Sequence, residues 1–265
     1  MRHVIPGMRG GGSVAAVLAV LIVLWEVGVR LTGVRSFILP APSAVIAEIA
    51  AYPGFFLTSS GYTVMTTLAG FGLAVALGVL IAVATVYSSL LEKTLFTILV
   101  AMNSVPKVAL APLFVIWLGS GVAPKVAVSL MIAIFPVVID TVLGLRSVDP
   151  DALNLAKAAR ASTWQILTKI RFPNALPSLF AGMKVAISFA LVGALVGEFV
   201  AGDQGLGHVI LLAQGMFDTP RVFAAILLLG IIGTVLFYIV DLVERLVVPW
   251  HVSQRGVAPA GGASL

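Results

Sequence analysis

The sequence predicts an all-α membrane protein of six transmembrane helices. Two observations carry the prediction. First, 60% of the 265 residues are apolar and only 10% are charged, against about 25% charged in a typical soluble domain. Too few polar residues remain to cover the apolar surface, so the bilayer is the natural solvent. The mean hydropathy of +1.13 points the same way. Second, the apolar residues gather into six stretches, at about 13–32, 63–86, 95–118, 123–145, 177–200 and 222–246. A helix needs roughly 20 apolar residues to cross a hydrocarbon core of about 30 Å.

Arg2 and Arg9 precede the first stretch as they would in a signal peptide, but no small-x-small cleavage pattern follows it. It reads as a retained first helix behind a short tail, 1–12. The segment 33–62 carries Leu39-Pro40-Ala41-Pro42 and then Ser43 to Tyr52. Ala44, Val45, Ala47 and Ile49 around Glu48 suit either a short interfacial helix or a structural connector. Gly119-Ser120-Gly121 and Pro124 mark a tight turn between the third and fourth stretches. A long loop, roughly 146–176, joins the fourth and fifth. The loop 201–221 has Gly202, Asp203, Gly205 and Gly207, expected to be flexible or tightly turned. The tail 247–265, rich in Gly, Ala and Pro, is expected to be disordered. One membrane domain, 13–246, remains.

Six spans put both termini on one side, and eleven Lys/Arg residues fall there against four on the other. The positive-inside bias places both termini in the cytoplasm. The net charge of +5 therefore reads as topology and not as a nucleic-acid surface. The absence of cysteine excludes disulfides, thiolate metal sites and cysteine nucleophiles. His3, His208 and His251 are too scattered to suggest a metal centre, and no catalytic cluster stands out. Nor is there a Gly-x-x-x-x-Gly-Lys-Ser/Thr phosphate loop. By that route the chain cannot bind and split ATP, and no cofactor is expected on it.

The loop 146–176 reads as two short helices. Asp149 suits an N-cap, Pro150 the first helical position and Asp151 the positive end of the dipole. Ser162 and Gln165 have capping-box spacing. The second helix continues through Trp164, Ile166, Leu167 and Ile170 and is expected to stop near Pro173. Its apolar side chains either meet a partner or pack on the inner ends of the protein's own helices.

This loop resembles the EAA motif of ATP-binding-cassette importer permeases. The resemblance rests on Leu155-Ala156, Ala161-Ser162, Ile170, Pro173 and Pro177. Further pieces are similar to the nitrate/sulfonate/taurine branch. These are Trp25-Glu26, Leu39 to Ser43, Val105 to Leu113 with Trp117-Leu118-Gly119, Gly182, Gly197-Glu198-Phe199 and Gly205-Leu206-Gly207. Together they span about residues 20–246. The chain departs from the family pattern at Arg160, where a glycine is usual, and at Asn154 to Lys157, where the motif's leading glutamate is absent. The resemblance implies the transmembrane fold of a type I importer in a prokaryotic inner membrane. It also implies a second copy or a homologous permease, two ATP-binding subunits carrying ATP and Mg, and an extracytoplasmic solute-binding protein. Leu155, Ala156, Arg160, Ala161, Ser162, Trp164, Ile166, Ile170 and Pro173 would then couple to the ATPase.

Polar groups at membrane depth are functional candidates. Lys107 sits beside Pro106, which is expected to kink the span; it either receives an anion or, in a structural role, snorkels or pairs with a carboxylate such as Asp140. Asn103 and Ser104 suit a pathway or polar helix packing. Glu198 and Glu26 suit structural or gating roles. Gly70, Gly72, Gly78, Gly193 and Gly197 suit close helix packing. The expected substrate is a small anion, sulfonate-like first, or a vitamin precursor. The rival reading, a secondary transporter or channel, would need coupling charges along a pore and no cytoplasmic docking element.

Overall fold

The computed structural model describes residues 9–88, 94, 98, 101 and 105–250. Ten α-helices organise the described chain. They are α1 (Arg9–Thr32), α2 (Pro42–Ala51), α3 (Pro53–Tyr87), α4 (Ala111–Leu118), α5 (Val122–Arg146), α6 (Pro150–Ala158), α7 (Thr163–Ile166), α8 (Phe172–Val200), α9 (Leu206–Gly215) and α10 (Thr219–Val247). Among the described residues four stretches are long and apolar enough to cross a membrane: α3, α5, Thr163–Val200 and α10. Helix α1 coincides with the expected first span, and α4 with the C-terminal part of the third. The order matches the six-span reading.

Three boundaries differ from expectation. Helix α1 begins at Arg9, inside the expected tail. Helix α3 runs for 35 residues from Pro53, about 50 Å at 1.5 Å per residue. That exceeds the hydrocarbon thickness, and the last third of the expected loop 33–62 is already part of this helix. Pro53 at the first turn explains the start, because its missing N–H has no intrahelical role there. The third boundary is Pro106. The chain is extended at this proline (φ −61°, ψ 96°) before a 3-10 turn, Lys107–Leu110, leads into α4. The expected third span is therefore broken and not merely kinked. The turn after α4 needs its glycines, since Gly119 and Gly121 have φ of 77° and 120°.

The core lies between α3, α5 and α8. Ala74, Ala133, Val137, Ala186 and Ala190 are fully buried where the three meet. Glycine lets α5 and α8 approach closely. A Cβ on Gly193 would stand 2.6 Å from Ser129 Cα, and one on Gly197 2.6 Å from Lys125 Cα. Ser129 Oγ donates to the Ala190 carbonyl at 2.9 Å across the same seam. Gly72 has nothing within 4 Å of a built Cβ, so it takes no part in close packing. At one end of the bundle, α2 packs its Val45 with Phe56, Leu206 and Val209. Arg221 of α10 holds Glu48 of α2 at 2.7 Å, and Glu26 of α1 accepts the Ser43 N–H at 3.0 Å. Helix α2 is thus tied down at both ends.

Candidate functional site

The loop 146–176 folds as a helix pair. Asp149 caps α6, its carboxylate accepting the Asp151 N–H at 2.8 Å. Helix α6 closes with paired backbone bonds: Arg160 N–H to the Lys157 carbonyl at 2.9 Å and Ala161 N–H to the Ala156 carbonyl at 3.0 Å. That geometry needs a left-handed residue between them. Arg160 supplies it, with φ 56°. The break expected of a glycine therefore persists with arginine in its place.

Helix α7 opens on the expected capping box. Gln165 N–H donates to Ser162 Oγ at 3.2 Å, and Ser162 N–H to Gln165 Oε1 at 2.8 Å. It does not stop near Pro173. A π-helical turn, Leu167–Arg171, carries it directly into α8. Phe172 N–H reaches back to the Leu167 carbonyl, shifting the helical register just ahead of the proline. Pro173 then occupies the first turn of α8, where a missing donor is tolerated.

The apolar side chains divide between both expected uses. Leu155 and Trp164 are 72% and 71% exposed. Ile166 and Leu167 are buried, Leu167 against Val138, Val142, Leu145 and Ala175. Ile166 is therefore a root residue and not an outer contact, and Ile170 and Pro173 are half-buried. Polar bonds reinforce the root. Asn174 Nδ2 donates to Ser147 Oγ at 2.8 Å and to the Gly144 carbonyl at 3.3 Å. Arg171 donates to the Leu145 carbonyl at 3.4 Å and stacks over Tyr87, 5.8 Å from its ring centre. The pair is thereby packed against the adjoining ends of α3, α5 and α8.

Of the pathway candidates, Asn103 and Ser104 lie outside the described residues. Lys107 sits in the 3-10 turn, its ammonium 5.4 Å from the Phe135 ring centre. Glu198 has no exposed surface within the protomer. Its Oε2 accepts the Gly207 N–H at 2.7 Å and the Thr63 hydroxyl at 3.1 Å, and Thr63 Oγ1 accepts the Leu206 N–H at 2.9 Å. Glu198 thus folds the outer turn onto the ends of α3 and α8. Beside it Lys125, also fully buried, pairs with Asp203 at 2.5 Å and donates to the Tyr62 hydroxyl at 2.8 Å. Toward the other end of the helices, Lys184 of α8 binds two carboxylates of α10, Asp241 and Glu244. Charge counting read Lys125 and Lys184 as topology markers, and nothing in the local sequence announces their distant partners.

Residues 74–249 match the family model described as "Binding-protein-dependent transport system inner membrane component". The chain belongs to this family. It is a permease subunit of an ATP-binding-cassette importer, and the family implies an ATPase and a binding protein as partners. The riboflavin transport system permease protein RibX of Chloroflexus aurantiacus is 38% identical to it over 89% of each chain. The formylaminopyrimidine transport permease protein ThiX of Halalkalibacterium halodurans is 31% identical, over 88% of this chain and 94% of its own. The fold is that of the MetNI methionine transporter, with a TM-score of 0.64 at 18% identity over 71% of this chain and 94% of that one.

Proposed function

We propose that this permease forms half of a two-fold translocation pathway with both termini in the cytoplasm, and that α6 and α7 are its ATPase-docking element. One observation carries the reading. Leu155 and Trp164 are presented to solvent on a knob whose root is locked into three membrane helices. Exposed apolar anchors on a rigid base are what a partner cleft needs. A secondary transporter would have no use for them. ATP and Mg belong to two partner ATPases. Their closure swings the knob and, through its root, the inner ends of α3, α5 and α8, and an outer binding protein delivers the substrate. The substrate we favour is a heterocycle of the flavin or pyrimidine class, ahead of the sulfonate-like anion. The support is the identity to RibX and ThiX.

The test is a gentle-detergent capture of the tagged chain from its native membrane, with Leu155→Asp plus Trp164→Asp for comparison. An ATPase retained by the wild type and lost from the variant supports the docking role. No ATPase with either, while both remain folded, refutes it.

A further inference from the structure

The charges of the docking knob are segregated along the chain. Its acids, Asp149 and Asp151, both sit at the start of α6, and from residue 152 to 197 there is no Asp or Glu, while Lys157, Arg160, Lys169 and Arg171 fall on the knob or its root. Arg171 is turned inward onto the Leu145 carbonyl. Lys157, Arg160 and Lys169 are exposed, and among the described residues none of these three makes an ion pair.

Arg160 stands apart from the other two through its backbone. At φ 56° it holds the left-handed conformation that closes α6. Outside glycine this conformation is costly, because Cβ crowds the neighbouring carbonyl. The turn itself gains nothing from the arginine, since both closing bonds are made by backbone groups and would form with glycine. A strained residue whose side chain does no local work points to work done elsewhere. Its place in the chain says where. Arg160 lies five residues after exposed Leu155 and four before exposed Trp164, in the middle of the surface offered to the ATPase.

We propose that Arg160 is a specificity residue of this interface: it pairs with a carboxylate in the cleft of the ATP-binding subunit and restricts the permease to a partner carrying that acid. The proposal rests on α6 and α7 being the docking element. A guanidinium can meet a carboxylate with two parallel hydrogen bonds. Flanking apolar anchors exclude water from such a pair and strengthen it relative to one at an open rim. A cleft carrying a cation at this point would be rejected by like charge. The rigid left-handed turn fixes the direction from which the arginine leaves the backbone.

The experiment co-expresses the permease with its own ATPase and measures ATPase retention in detergent from about 50 mM to about 500 mM salt, a range that sharply shortens electrostatic reach. Wild type is compared with Arg160→Gly, Arg160→Lys, Arg160→Glu and the Leu155→Asp plus Trp164→Asp variant. Arg160→Gly relieves the backbone strain, so its thermal stability should equal or exceed wild type. Its ATPase affinity should nonetheless fall on the order of tenfold at low salt, with a flattened salt dependence. Arg160→Lys should fall between the two, and Arg160→Glu below both. Retention of Arg160→Gly equal to wild type at every salt concentration overturns the proposal. So does a loss that is the same at low and high salt, which would mark a change of shape and not of charge. Failure of the wild type to retain any ATPase, or full retention by the Leu155→Asp plus Trp164→Asp variant, strikes the docking reading itself.

Discussion

The Glu198 carboxylate accepts the backbone N–H of Gly207, nine residues further along the chain, at 2.7 Å. This bond folds the outer turn back over the end of α8, and the Thr63 hydroxyl joins it from α3 at 3.1 Å. Glu198→Ala should leave the buried Gly207 N–H without an acceptor, while the Thr63 hydroxyl can still donate to the Ser59 carbonyl at 3.2 Å. Such a loss costs about 1–3 kcal/mol, and a fall of that size is expected in thermal unfolding. Glu198→Gln keeps a carbonyl oxygen for both donors and should retain most of the stability. An alanine variant as stable as wild type would show that the turn holds without this carboxylate.

The glycines of the span helices should divide by what faces them. A Cβ on Gly193 meets Ser129 Cα at 2.6 Å, and backbone cannot step aside as a flexible side chain can. Gly193→Ala should cost about 1–3 kcal/mol by forcing α5 and α8 apart. Gly72→Ala meets nothing within 4 Å and should be neutral or stabilising by up to about 1 kcal/mol through reduced backbone freedom in the unfolded chain. Parallel melting curves of the two variants check the contrast. Equal behaviour would remove close approach as the reason for Gly193.

The spans, the capping box at Ser162 and Gln165, and the turn at Gly119 to Gly121 were legible because each is written in local residues: apolar length, cap spacing, glycine. The Lys125–Asp203 and Lys184–Asp241 pairs were not. Their partners lie 78 and 57 residues apart, and a lysine at a helix end reads as a snorkelling topology marker until its neighbour is known. Trp164 and Ile166 carry the same apolar signal two positions apart, yet one faces out and the other in. In so short a helix the register follows from the packing of Leu167 against α5, not from any repeating pattern. Continuity through Pro173 was hidden for a related reason, since a π turn has no sequence signature as firm as the proline that argues against it.

Lys184 should show the asymmetry of a partly buried ion cluster. Its ammonium lies between Asp241 and Glu244, and among the described residues only Asp241 has a second cation, Arg245 at 2.8 Å. Lys184→Met should destabilise by about 1–3 kcal/mol, because it leaves the buried Glu244 carboxylate without its cation and beside Asp241. Adding Asp241→Asn and Glu244→Gln should recover much of the loss. Chemical or thermal unfolding of the single and triple variants measures it. A triple variant worse than the single one would mean that the acids serve another partner.

Asp203 gives the outer turn a pH dependence. The hydrogen bond from Lys125 holds its carboxyl below the ordinary aspartate range, against a smaller opposing effect of burial. A depressed carboxyl contributes its stability fully above the unfolded value, about 3.9, and loses it as pH falls through the lowered folded value. Hydrogen-exchange protection across α9, taken relative to the intrinsic amide rate at each pH, should therefore stay high at neutral pH and fall only below about pH 4. Asp203→Asn should be looser already at neutral pH, because Lys125 loses its counter-charge, and should lack the acid step. An unchanged acid step in that variant would assign it to another group.

The opposite placements of Trp164 and Ile166 separate docking from folding. Trp164 is 71% exposed, so Trp164→Asp adds a charge that water can solvate and should leave thermal stability within about 0.5 kcal/mol of wild type. Its expected defect is functional: ATPase retention falls, and substrate-stimulated ATP hydrolysis falls with it. Ile166 is buried. Ile166→Asp should cost about 3 kcal/mol or more, by placing an unpaired carboxylate against the root of α8. The milder Ile166→Ala should cost about 2 kcal/mol and lower ATPase binding only as the root loosens. Stability and ATPase retention, measured on the same three preparations, should therefore part company in Trp164→Asp and fall together in the Ile166 variants. Retention lost in Ile166→Ala at unchanged stability would place Ile166 in the interface and require the knob to open when the ATPase binds.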